Sequence, residues 1–160
     1  VITLDQYFMG RDVLFPQECT LAVGSNAERT VERINRALEL AAADGVEPGI
    51  DVKTGNFVAS GWRPRSINHA LERTSNAAAA SAHIVAEACD LQERMPGRDL
   101  ARWALKNLDK LEEIGLWMED PRWTPDWVHW QTRPPHSGLR VYRPSMHEPL
   151  AAALPEQAQA

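Results

Sequence analysis

Apolar and polar positions along the chain follow two periods. Between residues 26 and 43, Val31, Ile34, Leu38 and Ala41 recur at helical spacing, with Glu28, Arg29, Glu32, Arg33 and Arg36 mostly on the other side. This spacing predicts an amphipathic helix ended by Asp44-Gly45. A second long helix is predicted over residues 99–114, capped by Asp99 and closed by Gly115, with Leu100, Trp103, Ala104, Leu108, Leu111 and Ile114 as its buried stripe. A short first helix is predicted over residues 3–9, where Thr3-x-x-Gln6 forms a capping box behind Ile2 and Gly10 ends the run. A helical piece is expected near 66–70. Strand signals fall at 50–52 and 57–60, joined by a Lys-Thr-Gly-Asn turn, within 84–91, and at 116–119, 127–132 and 138–142.

The connection 11–24, with Pro16 inside it, reads as irregular, and Pro96-Gly97 breaks the chain before the second long helix. A run of four alanines at 77–80 permits close packing. Residues 145–160 lack periodicity and are expected to form a loosely ordered tail after a single domain over residues 1–144. The expected fold class is α+β, a small and mostly antiparallel sheet packed with the two long helices.

Bulk composition narrows the function classes. A chain of 160 residues supports one domain with a real core. Its 44% hydrophobic and 24% charged residues lie in the ordinary globular range. A net charge of -5 argues against a partner held by attraction to phosphate, so nucleic acid is not expected. Cys19 and Cys89 stand far apart without a Cys-x-x-Cys pair, which excludes a disulfide scaffold and a cysteine zinc site; Cys89 reads as a small buried hydrophobe. There is no apolar run long enough to span a membrane and no basic-then-apolar N-terminal signal, so synthesis in the cytoplasm is expected. The first residue, Val1, is not methionine, and a leader removed upstream is compatible with the sequence.

The chemistry concentrates in residues 60–90 and 123–129. Ser-Gly-Trp-Arg occupies 60–63, Ser-x-His 81–83, Ala-x-Asp 88–90 and Asp-Trp-Val-His 126–129. Two histidines and one carboxylate are the ligand set of a catalytic zinc with one position open for water. Seven strand steps from His83 to Asp90 would span roughly 23 Å and send the side chains to opposite faces. Seven helical steps would span about 10 Å. Neither form brings both residues to one ion, so a bend is required between them. Asp126 and His129 can share a site only if the chain turns before a strand starting near Trp127. Arg63 falls just past a strand end, where a rigid sheet holds a side chain that the loop leaves accessible.

Ser-Gly-x-Arg, Ser-x-His-x-x-Gly-x-Ala-x-Asp and an acid-x-x-His resemble the zinc D-alanyl-D-alanine carboxypeptidase family. That family includes D-alanyl-D-alanine dipeptidases and phage L-alanyl-D-glutamate endolysins, and shares its fold with the hedgehog signalling domain. The likeness covers residues 56–142. It implies a zinc bound by His83, Asp90 and His129, with Asp126 as the catalytic acid/base. It also implies that Arg63 stabilises the reacting carbonyl and that Ser81 lines the substrate site beside Arg63. Ala86 departs from the pattern, standing where the family has glycine.

The expected function is a zinc peptidase acting on peptidoglycan stem peptides. The bond favoured is L-alanyl-D-glutamate, as in a phage or prophage endolysin that reaches the cell wall or periplasm as a monomer. The D-alanyl-D-alanine bond is the alternative, and a zinc-stabilised binding module is the non-enzymatic one. His69, His136 and His147 lack motif support, with His136 expected in an exposed loop. Trp123, Trp127 and Trp130 are read chiefly as packing residues, with sugar stacking as the rival role.

Overall fold

Thr3 and Gln6 form the expected reciprocal cap: Gln6 N–H donates to the Thr3 hydroxyl and Thr3 N–H to the Gln6 side chain. They start α1 (Leu4–Phe8), which buries Tyr7 and Phe8. The Tyr7 hydroxyl then donates to the Ala88 carbonyl at 2.9 Å and ties this helix to the sheet. The computed structural model describes residues 1–73 and 80–144. Three of the four alanines at 77–80 and the tail at 145–160 lie outside these residues.

The connection after α1 is partly helical, with α2 at Arg11–Leu14. The first long helix, α3 (Leu21–Ala43), begins five residues earlier than its apolar pattern predicts, because the Thr20 hydroxyl caps it by accepting from Val23 N–H. Leu21 in that first turn is 93% exposed, so the buried stripe starts only at Val23. α4 (Arg65–Glu72) follows Arg63.

The second long helix is two helices, α5 (Asp99–Lys106) and α6 (Leu108–Ile114). Asn107 has left helical geometry, with φ -124° and ψ 39°, and its amide donates back to the Trp103 carbonyl. Asp99 is not the cap of α5. The buried carboxylate of Glu93, distant by several residues, accepts from Leu100 N–H and Ala101 N–H instead.

Five strands form one sheet in the order β1-β2-β4-β3-β5: β1 (Val58–Ser60), β2 (Ala88–Gln92), β3 (Trp117–Glu119), β4 (Trp127–Gln131) and β5 (Val141–Tyr142). Every neighbouring pair is antiparallel except β3–β5, so the sheet is mixed. The strand expected at 50–52 does not form. Asp51 instead accepts from Lys53 N–H and Thr54 N–H through its side chain and pairs its own N–H with Asn56. Ile50 and Val52 stay exposed, so no apolar burial favours adding them to the sheet.

The pleat divides the sheet's residues by parity. Cys89, Leu91, Met118, Val128 and Trp130 face a core shared with Val31, Ile34, Leu38, Leu100, Trp103 and Leu111 of the helices. Asp90, Glu119 and His129 lie on the opposite face. The structure is thus α+β, and among the described residues no helix is long and apolar enough to cross a membrane.

Candidate metal centre

The bend demanded between His83 and Asp90 is a 3₁₀ turn, Ala82–Val85, closed by Ala86 in the left-handed region at φ 60° and ψ 34°. Ser81 starts this turn by accepting from His83 N–H at 3.3 Å, and Glu87 N–H returns to the Ala82 carbonyl. Ala86 thus carries a positive-φ bend, and its methyl group is fully buried.

The Ser-Gly-Trp-Arg segment is clamped onto this turn. Arg63 N–H donates to the His83 carbonyl, Trp62 Nε1–H to the Ile84 carbonyl, and His83 Nδ1 lies 2.7 Å from the Gly61 carbonyl. Since a carbonyl oxygen can only accept, His83 carries its proton on Nδ1 and presents a bare Nε2. Gly61 has to be glycine for packing reasons, because a Cβ there would stand 1.9 Å from the Tyr7 carbonyl oxygen.

Asp90 and His129 face each other across the β2–β4 ladder. Their contact is 2.7 Å from His129 Nδ1 to Asp90 Oδ1, while His83 Nε2 is 3.3 Å from Asp90 Oδ2. The far nitrogen of His129, Nε2, sits 3.2 Å from Gln131 Oε1, which also accepts from the Tyr142 hydroxyl at 2.6 Å. Gln131 is oriented in turn by its own donation to the Arg133 carbonyl.

The ligating atoms of His83, Asp90 and His129 all lie within 4.8 Å of one another, and all three residues are buried. This group could hold a metal ion. The chemistry of the donor set fits one well: both far nitrogens are committed to oxygen acceptors, which turns both near nitrogens toward one carboxylate, as histidine ligands are commonly fixed.

Charge in the group is organised around Asp90. Burial opposes its ionisation, but His83 and His129 outweigh burial and hold its carboxyl far below the usual carboxylate range. Burial keeps the His83 imidazole neutral despite Asp90. At His129 burial also favours the neutral ring, yet Glu119, the Asp90 hydrogen bond and the Asp90 charge prevail and push it up to about 9. The metal-free site at neutral pH therefore holds an Asp90 carboxylate against a His129 imidazolium.

Arg63 is buried beside them, its Nη2 3.8 Å from Asp90 Oδ2. Ser60 and Asn68 accept from the same guanidinium, and Asn68 donates to Glu72 at 2.6 Å, so α4 helps set the direction of Arg63.

Of the residues singled out from sequence, His83, Asp90, His129 and Arg63 come together. Ser81 caps the turn that carries His83. Asp126 lies exposed in the turn before β4 and makes no hydrogen bond or ion pair with the described residues. Trp130 is fully buried in the core and Trp123 is partly exposed, its ring under the Arg143 guanidinium. His69 and His136 are exposed, and His147 lies outside the described residues. Sequence reasoning missed Gln131, Tyr142 and Glu119; the alternation Trp127-His129-Gln131 in β4 was the available signal for Gln131, since it places that residue on the same face as His129.

No protein-family model, curated protein or solved structure matches the chain.

Proposed function

We propose that the protein is a zinc peptidase of peptidoglycan stem peptides, cleaving the L-alanyl-D-glutamate bond. The observation that carries the proposal is the convergence of two oriented imidazole nitrogens on one buried carboxylate, with a buried guanidinium at its side. His83, Asp90 and His129 would hold the ion through Nε2, a carboxylate oxygen and Nδ1. Zinc so bound supplies Lewis acidity toward a carbonyl and a water molecule.

The protein's own groups do the rest. Arg63 offers N–H donors to the oxygen on which negative charge develops, and its place among Ser60, Asn68 and Asp90 keeps it directed before substrate arrives. Burial of these charges lowers the local dielectric and strengthens each such interaction. A carboxylate takes a proton from the attacking water and returns it to the leaving amine. The motif resemblance implies Asp126 for this task, but Asp126 lies exposed in the turn before β4, outside the buried group.

Digestion of purified sacculi, followed by mass analysis of the fragments, tests the proposal. New L-alanine C-termini support the proposed bond. Free D-alanine transfers the assignment to the D-alanyl-D-alanine bond, and intact sacculi with zinc-loaded protein contradict both. A folded, zinc-loaded protein that cleaves no stem peptide is the result expected of a binding module.

A further inference from the structure

On the peptidase reading above, we infer that Glu119, rather than Asp126, is the carboxylate that carries the proton in amide hydrolysis. The sheet lines up one polar row across its five strands. Ser60 pairs with Asp90, Asp90 with His129, and Glu119 with Tyr142. The β3–β4 ladder pairs Trp117 with Gln131 and Met118 with Trp130, so its next rung sets Glu119 beside His129.

Pleat parity fixes the side. Met118 is fully buried in the core, which turns its neighbour Glu119 to the face that carries Asp90 and His129. The field of the Glu119 carboxylate reaches the rest of the group from there, acting on His129, on Arg63 and on Tyr142. Directly opposed residues of an antiparallel pair have Cβ atoms roughly 5 Å apart. A glutamate side chain is long enough from that distance to stand over the group without being one of its three ligands.

Asp126 differs in each respect. It precedes the strand and its side chain is exposed, outside the polar row that the sheet register lines up. In the proposed step the water oxygen bonds to the scissile carbonyl carbon while Glu119 accepts the water proton. The C–N bond then breaks as Glu119 delivers that proton to the amine nitrogen. Glu119 ends the cycle ionised, as it began, and water plus amide gives acid plus amine.

Glu119→Gln, Glu119→Asp and Asp126→Asn, each shown to be folded by thermal melting, are compared in the zinc-loaded full chain. Three readouts are taken: zinc affinity by competition with a chromophoric chelator, binding of an uncleaved stem peptide by calorimetry, and kcat on the same peptide. Glu119→Gln is expected to keep zinc affinity within about tenfold and peptide affinity within about threefold while kcat falls on the order of 10²–10⁴-fold. Glu119→Asp recovers part of that rate, and Asp126→Asn stays within about threefold of the parent.

A Glu119→Gln variant of undiminished kcat, or an Asp126→Asn variant that takes the loss instead, overturns the inference while leaving the peptidase reading intact. Loss of zinc from Glu119→Gln makes the residue a metal-site component and overturns it as well. A parent protein that neither binds nor cleaves any stem peptide overturns the peptidase reading itself, and the inference with it.

Discussion

His83 Nδ1 and the Gly61 carbonyl, 2.7 Å apart, determine which nitrogen of His83 faces Asp90. The carbonyl can only accept, so the proton stays on Nδ1 and the lone pair of Nε2 is left for the site. Gly61 holds that carbonyl in place because α1 passes directly over it. A methyl group at Gly61 would enter the Tyr7 carbonyl, backbone against backbone, where no side chain can give way. Gly61→Ala is therefore expected to cost about 2–3 kcal/mol of stability, the usual scale of overpacking. It is also expected to weaken zinc binding through His83. Denaturant melts and a zinc titration check both effects, and a variant of parental stability and affinity would show that α1 can shift freely.

If the group holds zinc as proposed, His129 makes that binding depend on pH. In the metal-free protein its imidazolium is pushed up to about 9, above the value of about 6.5 for an unperturbed histidine. A raised value means that the group stabilises the metal-free fold fully below about pH 6.5 and that this contribution, about 3 kcal/mol, is lost as pH rises through 9. Binding of an ion at Nδ1 must displace that proton. Apparent zinc affinity should accordingly rise about tenfold per pH unit between 7 and 8.5 and level off above 9. Calorimetry in buffers of different ionisation enthalpy should find about one proton released per ion at pH 7. Zero release would mean that His129 is already neutral.

Gln131 links His129 to Tyr142 through a single oxygen. Gln131→Leu removes the acceptor of His129 Nε2–H and leaves the buried Tyr142 hydroxyl without it. Loss of such an outer partner commonly lowers metal affinity 10- to 100-fold. Tyr142→Phe, which leaves Gln131 in place, should lose less. Competition titrations with a chelator distinguish the two, and equal affinity in Gln131→Leu and parent would remove Gln131 from the account.

Ala86 holds a left-handed conformation with a buried methyl group. Glycine there would relieve about 1–2 kcal/mol of strain. It would also lose about 0.8 kcal/mol of methyl burial and some unfolded-state entropy. Ala86→Gly should therefore lie within about 1 kcal/mol of the parent, whereas Ala86→Val, branched and larger at the same φ, should cost more than about 2 kcal/mol. Thermal melts of the two variants provide the comparison.

What the sequence made legible follows from how locally each feature is determined. Thr3 and Gln6 cap α1 by contacts three residues apart, and β4 declares itself through its aromatic and β-branched residues. The need for a bend between His83 and Asp90 follows from strand and helix dimensions alone, and the 3₁₀ turn ending at Ala86 meets it. Features set by distant neighbours stayed hidden. Glu93 caps α5 from the end of β2, and nothing near Asp99 announces it. Asn107 interrupts an apolar stripe that continues in phase through it, so the pattern reads as one helix. Glu119 meets His129 only through the order β2-β4-β3-β5, which no periodicity within β3 encodes.

The most direct test of the central claim is zinc content measured together with peptidoglycan hydrolysis, for the parent protein and for His83→Ala. One zinc per chain, with release of stem-peptide fragments that disappears along with the zinc in His83→Ala, is the predicted result. Hydrolysis that persists in zinc-free His83→Ala would contradict the account.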